Sequence, residues 1–150
     1  MSIPVGQKYM KPEGGPGKLA NYQGTKADST AAGDEIRPGA AVQVVEEVSS
    51  PLKDGGSFYG VAIAQNFTTT FRADKNGNYS KYDAVPVLRE GTIWVEVDED
   101  VKASEKAVAN TDTANFLPST TSKTTKTEVI GMFKTTAHAG NLAQLEINLP

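Results

Sequence analysis

Residues 82–97, Tyr-Asp-Ala-Val-Pro-Val-Leu-Arg-Glu-Gly-Thr-Ile-Trp-Val-Glu-Val, constrain this chain more than any other stretch. Two short apolar runs, 85–88 and 93–97, flank a polar Arg89-Glu90-Gly91-Thr92. Val, Ile and Trp suit a pleated, half-buried surface, and a glycine in a short polar gap supplies the positive φ of a tight reversal. The spacing predicts a β-hairpin, with Ile93, Val95 and Val97 on one face and Trp94 and Glu96 on the other. Pro86, which has no N–H to donate, places the first strand at an edge or a bulge. This hairpin holds the only Trp and reads as the nucleus of a β core. It carries no chemistry.

The segments after residue 35 continue the β pattern. Ile36-Arg37-Pro38-Gly39 reads as a turn that opens a strand over 40–48, and 58–64 reads as a second strand in which Gly60 marks a bulge or a close backbone approach. Residues 66–81 form a long polar insertion. Residues 101–110 are too short for a stable helix and predict a turn followed by a short strand. Residues 128–136 predict a strand that is apolar on both faces, at Val129, Ile130, Met132 and Phe133. The alternation of Leu145, Ile147 and Leu149 with Gln144, Glu146 and Asn148 predicts the last strand. Short strands at near-regular spacing indicate an all-β fold, a small β-sandwich or barrel of the β-tulip or jelly-roll kind.

Residues 1–34 read differently. Pro4, Pro12 and Pro16 alternate with Gly6, Gly14, Gly15 and Gly17, and apolar residues are sparse and aperiodic. That composition predicts an extended N-terminal arm over 1–34, followed by a β domain over 35–150. Ile3, Val5, Tyr9, Met10, Leu19 and Tyr22 are more apolar anchors than a solvating tail needs, so the arm reads as a strap that orders on a neighbouring subunit.

The 150-residue length corresponds to one domain that buries about 70% of its unfolded surface. A net charge of −3 argues against a nucleic-acid partner, which would call for a basic face. No apolar run approaches the roughly 18 residues of a membrane span, and there is no N-terminal signal pattern, so synthesis in the cytoplasm is expected. With no cysteine there is neither disulfide nor thiol chemistry.

A catalytic or metal centre finds no support. His138 is the sole histidine and lies in a small-residue loop without a neighbouring carboxylate in sequence, so it reads as an exposed loop residue. Asp98-Glu99-Asp100 is a compact acidic cluster, read as a solvated turn rather than a cation site. Asp74-Lys75-Asn76-Gly77-Asn78 fails the calcium-loop pattern because its glycine comes early and no bidentate Glu follows. Gly14-Gly15-Pro16-Gly17-Lys18 lacks the strand, helix and Ser/Thr of a phosphate loop. No catalytic residue, cofactor or metal is expected.

Several stretches taken in order resemble the structural cement, or head decoration, proteins of tailed bacteriophages. They are Gly15-Pro16-Gly17-Lys18-Leu19-Ala20-Asn21, Ile36-Arg37-Pro38-Gly39-Ala40-Ala41-Val42, Phe58-Tyr59-Gly60-Val61-Ala62-Ile63, Tyr82-Asp83-Ala84-Val85-Pro86-Val87-Leu88, Gly91-Thr92-Ile93-Trp94-Val95-Glu96-Val97, Asn115-Phe116-Leu117, and the closing 140–149. Each is a weak motif alone, but together they span nearly the whole chain. Where such proteins often carry a Gly-Asp turn before the strand near Val108, this chain has Ser104-Glu105.

The resemblance implies a non-enzymatic virion protein on the outer surface of the capsid, bound where major capsid protein subunits meet and reinforcing the head. Self-association is expected as a homotrimer at three-fold positions, a dimer at two-fold positions being the alternative. Contact residues are expected among the arm anchors named above and at Ile130 and Met132. The competing readings are another virion β protein (tail tube, head–tail joining or fibre-associated) and a β module that binds a cation or carbohydrate.

Overall fold

The computed structural model describes residues 16–21, 24–64 and 78–149. Among them are nine strands and no helix: β1 (Lys26–Ala32), β2 (Ala41–Val45), β3 (Val48–Pro51), β4 (Gly60–Ala62), β5 (Ala84–Glu96), β6 (Lys106–Ala109), β7 (Phe116–Pro118), β8 (Gly131–Phe133) and β9 (Leu142–Asn148). The protein is all-β.

The expected hairpin over 82–97 is instead one unbroken strand, the 13-residue β5. Its polar middle is not a turn, because each of those residues has a lateral partner. The Arg89 guanidinium lies 4.0 Å over the Tyr59 ring and donates to the Tyr59 carbonyl. Glu90 pairs with Lys26 at 3.5 Å, and Thr92 is buried. Gly91, at φ 139°, marks the place where the neighbours of β5 change. Trp94 is half-buried, and the core takes Ile93, Val95 and Val97 from the opposite face.

On either side of Gly91, β5 belongs to a different ring of strands. Its first half pairs with β1 on one side and β4 on the other. From there β4 joins β2, β2 joins β3, and β3 returns to β1 in the one parallel pairing among the named strands, so β1-β3-β2-β4-β5 closes. The second half of β5 pairs with β9 over seven residues, from Glu90–Asn148 to Glu96–Leu142. The order then runs β9-β8-β6-β7, and β7 comes back beside β5 through a parallel bridge between Val97 and Phe116. Of the two expected architectures this is the barrel, and ring closure satisfies edges that an open sheet would leave bare.

The stretch read as a strand over 40–48 is a hairpin. β2 and β3 are joined by the two residues Glu46 and Glu47, both with positive φ (52° and 69°), which is the backbone of a two-residue reversal. Gly60 behaves as expected: a Cβ there would run into the Leu88 carbonyl and the Val87 side chain, so glycine lets β4 approach β5. The turn over 102–104 and the strand β6 also match expectation, as does β9, whose Ala143, Leu145 and Ile147 are buried.

The described part of the arm is built into the sheet. Residues 17–20 line the second half of β5: the Gly17 N–H donates to the Trp94 carbonyl at 2.8 Å, the Trp94 N–H to Lys18 at 2.9 Å, and the Ala20 N–H to Thr92 at 2.8 Å. Six residues of β1 pair with β5. Within the extended arm expected over 1–34, residues 26–31 are laid as a strand along β5. A stretch of mostly small and polar residues still makes a strand when backbone groups on a neighbour await partners.

Candidate contact surfaces and the polar clasp

The side chains that sequence reading singled out as contacts divide into three groups. Ile3, Val5, Tyr9, Met10 and Tyr22 lie outside the described residues. Leu19 bridges Ile93 and packs against the hydrophobic core, so its side chain helps to hold the Gly17–Ala20 stretch on β5. Ile130 also packs against the core, with its N–H bonded to the Ala107 carbonyl. Met132 sits on β8 between Lys106 and Glu146, half-buried on the face opposite the buried Phe133. β8 is an interior strand between β6 and β9, so its exposed apolar surface is on a face and not along an edge.

Exposed large apolar side chains are found elsewhere. Val45 and Val48, at the tip of the β2–β3 hairpin, are 63% and 45% exposed; Val129 is 54% and Tyr82 82% exposed. Tyr82 holds a positive φ of 76°, and its ring has the Lys81 amine 5.3 Å away. Sequence reading missed Val45, Val48 and Tyr82 as surface groups because their apolar identity placed them in strands.

Asp98-Glu99-Asp100 is only partly solvated: Asp98 and Glu99 are half-buried and Asp100 is exposed. Each carboxylate has its own partner. Asp98 accepts from Asn110 and Asn115, both at 2.9 Å, and from the Thr113 hydroxyl. Glu99 accepts from Thr121 at 2.6 Å, and Asp100 from the Ala139 N–H at 2.8 Å. His138, expected to lack a carboxylate neighbour, has its Nδ1 3.7 Å from Asp100, with both side chains mostly exposed. Among the described residues, no three His, Asp or Glu side chains are grouped to hold a metal ion.

Around Asp98 the polar side chains form a clasp between the two rings. Asn115 is buried and joins three elements: its Nδ2 donates to Glu96 at 2.7 Å and to Asp98, while its Oδ1 accepts from Arg37. Arg37 also donates to the Thr113 carbonyl at 3.0 Å. Burial pulls the Arg37 pKa down, with Glu96 and Asp98 opposing, and the guanidinium stays charged. Burial pushes the Asp98 carboxyl up, but the hydrogen bonds from Thr113, Asn115 and Asn110 outweigh it and hold the pKa below the usual carboxylate value. Nothing here resembles a nucleophile with a base. The arrangement fastens loops.

Two further contacts show how scattered sequence pieces meet. Gly17 packs on Gly39, and the Phe58 ring stands edge-on to Phe116 at 6.2 Å and 88°. Together with Arg37–Asn115, these contacts tie stretches that lie far apart in the sequence.

The profile of the family described as structural cement protein (E217 gp24/Pam3 gp6) matches residues 5–148. The chain belongs to that family. It is a virion structural protein that stabilises the phage capsid. A chain from the capsid of Myoviridae phage XM1 shares its fold, with a TM-score of 0.75, 13% identity, and coverage of 99% of this chain and 98% of the other. The base of the head fibre gp8.5 of bacteriophage phi29 is more distant, with a TM-score of 0.55, 14% identity, and coverage of 83% and 94%. No curated protein sequence matches significantly.

Proposed function

We propose that this cement protein binds the outer surface of the phage head as a symmetric oligomer and reinforces the lattice of the major capsid protein, without catalysing a reaction. The observation that carries this reading is family membership over 5–148, which takes in the N-terminal stretch as well as the β framework. A homotrimer at three-fold positions suits a lattice of hexamers through closed symmetry. Many copies on one lattice each need only modest affinity, since neighbours engaged together gain by avidity. Residues 1–15 and Tyr22 supply contacts to the capsid or to neighbouring copies, and Met132 lies on a second contact face.

The test is co-sedimentation of purified protein with expanded heads that lack it. Saturable binding at a fixed ratio to the major capsid protein is expected, and the ratio identifies the symmetry axis occupied. Failure to bind intact expanded heads overturns the reading and turns the search to tails and soluble ligands.

A further inference from the structure

Stretches from both rings line one open groove of about 730 Å³. The first ring supplies residues 54–58 of the β3–β4 connection. The second supplies 126–130 of the β7–β8 connection and Thr111 of the β6–β7 connection, and Asn148 and Leu149 at the end of β9 complete the lining. A cleft where two structural units meet is a common place for a small ligand, and this volume lies within the range of about 300–1,000 Å³ that such sites occupy.

Backbone bonds hold both walls in place. In the first, a turn at Gly55 (φ 83°) is closed by the Gly56 N–H, which donates to the Lys53 carbonyl at 2.9 Å, and the Tyr59 N–H donates to Val42 at 2.9 Å. In the second, Thr127 exchanges bonds with Ala109: its N–H donates to the Ala109 carbonyl and its hydroxyl accepts from the Ala109 N–H, both at 3.0 Å. The Ile130 N–H donates to Ala107 at 2.9 Å. The groove is formed before anything enters it.

Its chemistry is mixed. Phe58, Ile130 and Leu149 pack partly against the core and line the groove, and Val129 is 54% exposed. Beside them are Asp54, Glu128 and Asn148, whose side chains have no hydrogen bond or ion pair among the described residues. Lys126 lines the groove too, with its amine 3.5 Å from the Thr121 carbonyl. Two carboxylates reject an anion and the amine opposes a lone cation, so an uncharged ligand is favoured. Carboxylates accept from hydroxyl groups, the Asn148 amide both gives and takes, and the apolar residues can cover a C–H face.

Thr111 gives an independent sign. It is 8% exposed, and its Oγ1 is buried without a hydrogen-bond partner among the described residues. Buried hydroxyls are paired in the great majority of cases, and an unpaired one calls for a partner from outside the chain. Because Thr111 lines the groove, a turn about its Cα–Cβ bond presents that hydroxyl to a ligand there.

We propose that this groove binds a neutral saccharide, with Asp54, Glu128 and Asn148 holding its hydroxyls, Thr111 supplying one more bond, and the apolar residues covering one face of the ring. This goes beyond the cement reading and does not depend on it.

Saturation-transfer NMR titration of the full chain tests it, with glucose, galactose, N-acetylglucosamine, maltose, lactose and chitobiose as probes. Saturable binding of at least one is expected, with the corresponding uronic acid and 2-amino sugar severalfold weaker. Asp54→Asn and Glu128→Gln should each weaken binding severalfold, since each removes a charged acceptor. Thr111→Val keeps the shape and removes an unpaired hydroxyl, so it should weaken binding without lowering the melting temperature. Glu47→Gln, at the β2–β3 hairpin, is the control and should change nothing. A tetramer of the bound sugar that binds more tightly than the dimer assigns the ligand to a polysaccharide, and equal binding assigns it to a free sugar; both bear the proposal out. No binding by any of these sugars, equal affinity in the parent and the three groove variants, or tighter binding of the charged counterparts overturns it. These readouts use purified protein, so their failure leaves the cement reading to be decided separately by co-sedimentation with heads.

Discussion

Gly17 and Gly39 lie so close that a Cβ on Gly17 would be 2.7 Å from the Gly39 nitrogen, and one on Gly39 would be 2.8 Å from the Gly17 nitrogen. Both hold positive φ, 78° and 80°. The contact seats the Gly17–Ala20 stretch against the turn that opens β2, which joins the N-terminal segment to the ring. Gly17→Ala must move backbone at Gly39 and Ala64 and also adopt a strained φ, so a loss of about 3 kcal/mol or more is expected. Gly140→Ala is the control, because it shares a positive φ of 85° with open space around it, and should cost only about 1 kcal/mol. Urea unfolding of the two variants decides this; equal losses would show that the close packing contributes nothing.

Ser104 sits at φ 73° in an exposed turn, the conformation glycine adopts without penalty. Its backbone N–H donates to the Phe133 carbonyl, a bond glycine keeps. Ser104→Gly should therefore raise stability by about 0.5–1 kcal/mol despite the added freedom of the unfolded chain. A thermal melt that moves downward would contradict it.

Asn115 satisfies Arg37, Glu96 and Asp98 at once. Asn115→Ala leaves charged groups without their partner in a half-buried place, and a cost of about 2–4 kcal/mol is expected. A loss below about 1 kcal/mol in chemical denaturation would mean that water replaces the amide without penalty.

The Asp98 carboxyl has its folded pKa lowered, so its contribution is present above the unfolded value near 3.9 and is lost as pH falls through the folded one. Asp98→Asn should flatten the acid limb below about pH 4 while weakening the protein at neutral pH. Identical acid limbs for the two proteins, followed by urea midpoint against pH, would rule out this role.

Tyr79 is fully buried, and its hydroxyl donates to the Ile63 carbonyl. Burial, with Asp83 adding to it, pushes its pKa up to about 12. The folded value lies above the unfolded value near 10, so the contribution is complete below pH 10 and is lost as pH rises toward 12, at up to about 1.4 kcal/mol per pH unit. Tyr79→Phe should remove that part of the alkaline slope, at the expense of about 1 kcal/mol from the missing hydrogen bond. An alkaline profile unchanged by the substitution would place the titration elsewhere.

The local pattern of side chains was enough to establish an all-β chain, since alternation at 142–149 and β-branched runs at 85–97 depend only on which face each residue presents. The family could also be read in the sequence, because its pieces recur in order. Whether the polar gap at Arg89–Thr92 turns or continues could not be read, because Arg89 finds Tyr59 and Glu90 finds Lys26 only after distant strands assemble. The hairpin at Glu46–Glu47 was hidden for the opposite reason: a reversal made without glycine carries no local sign. Asp98 looked like surface until Asn110, Thr113 and Asn115 were brought to it by the β6–β7 connection. Sequence alone determined the kind of strand and the kind of protein. Tertiary structure decided which polar residues became partners and which came to line the groove between the rings, since both depend on groups that meet only when the rings close.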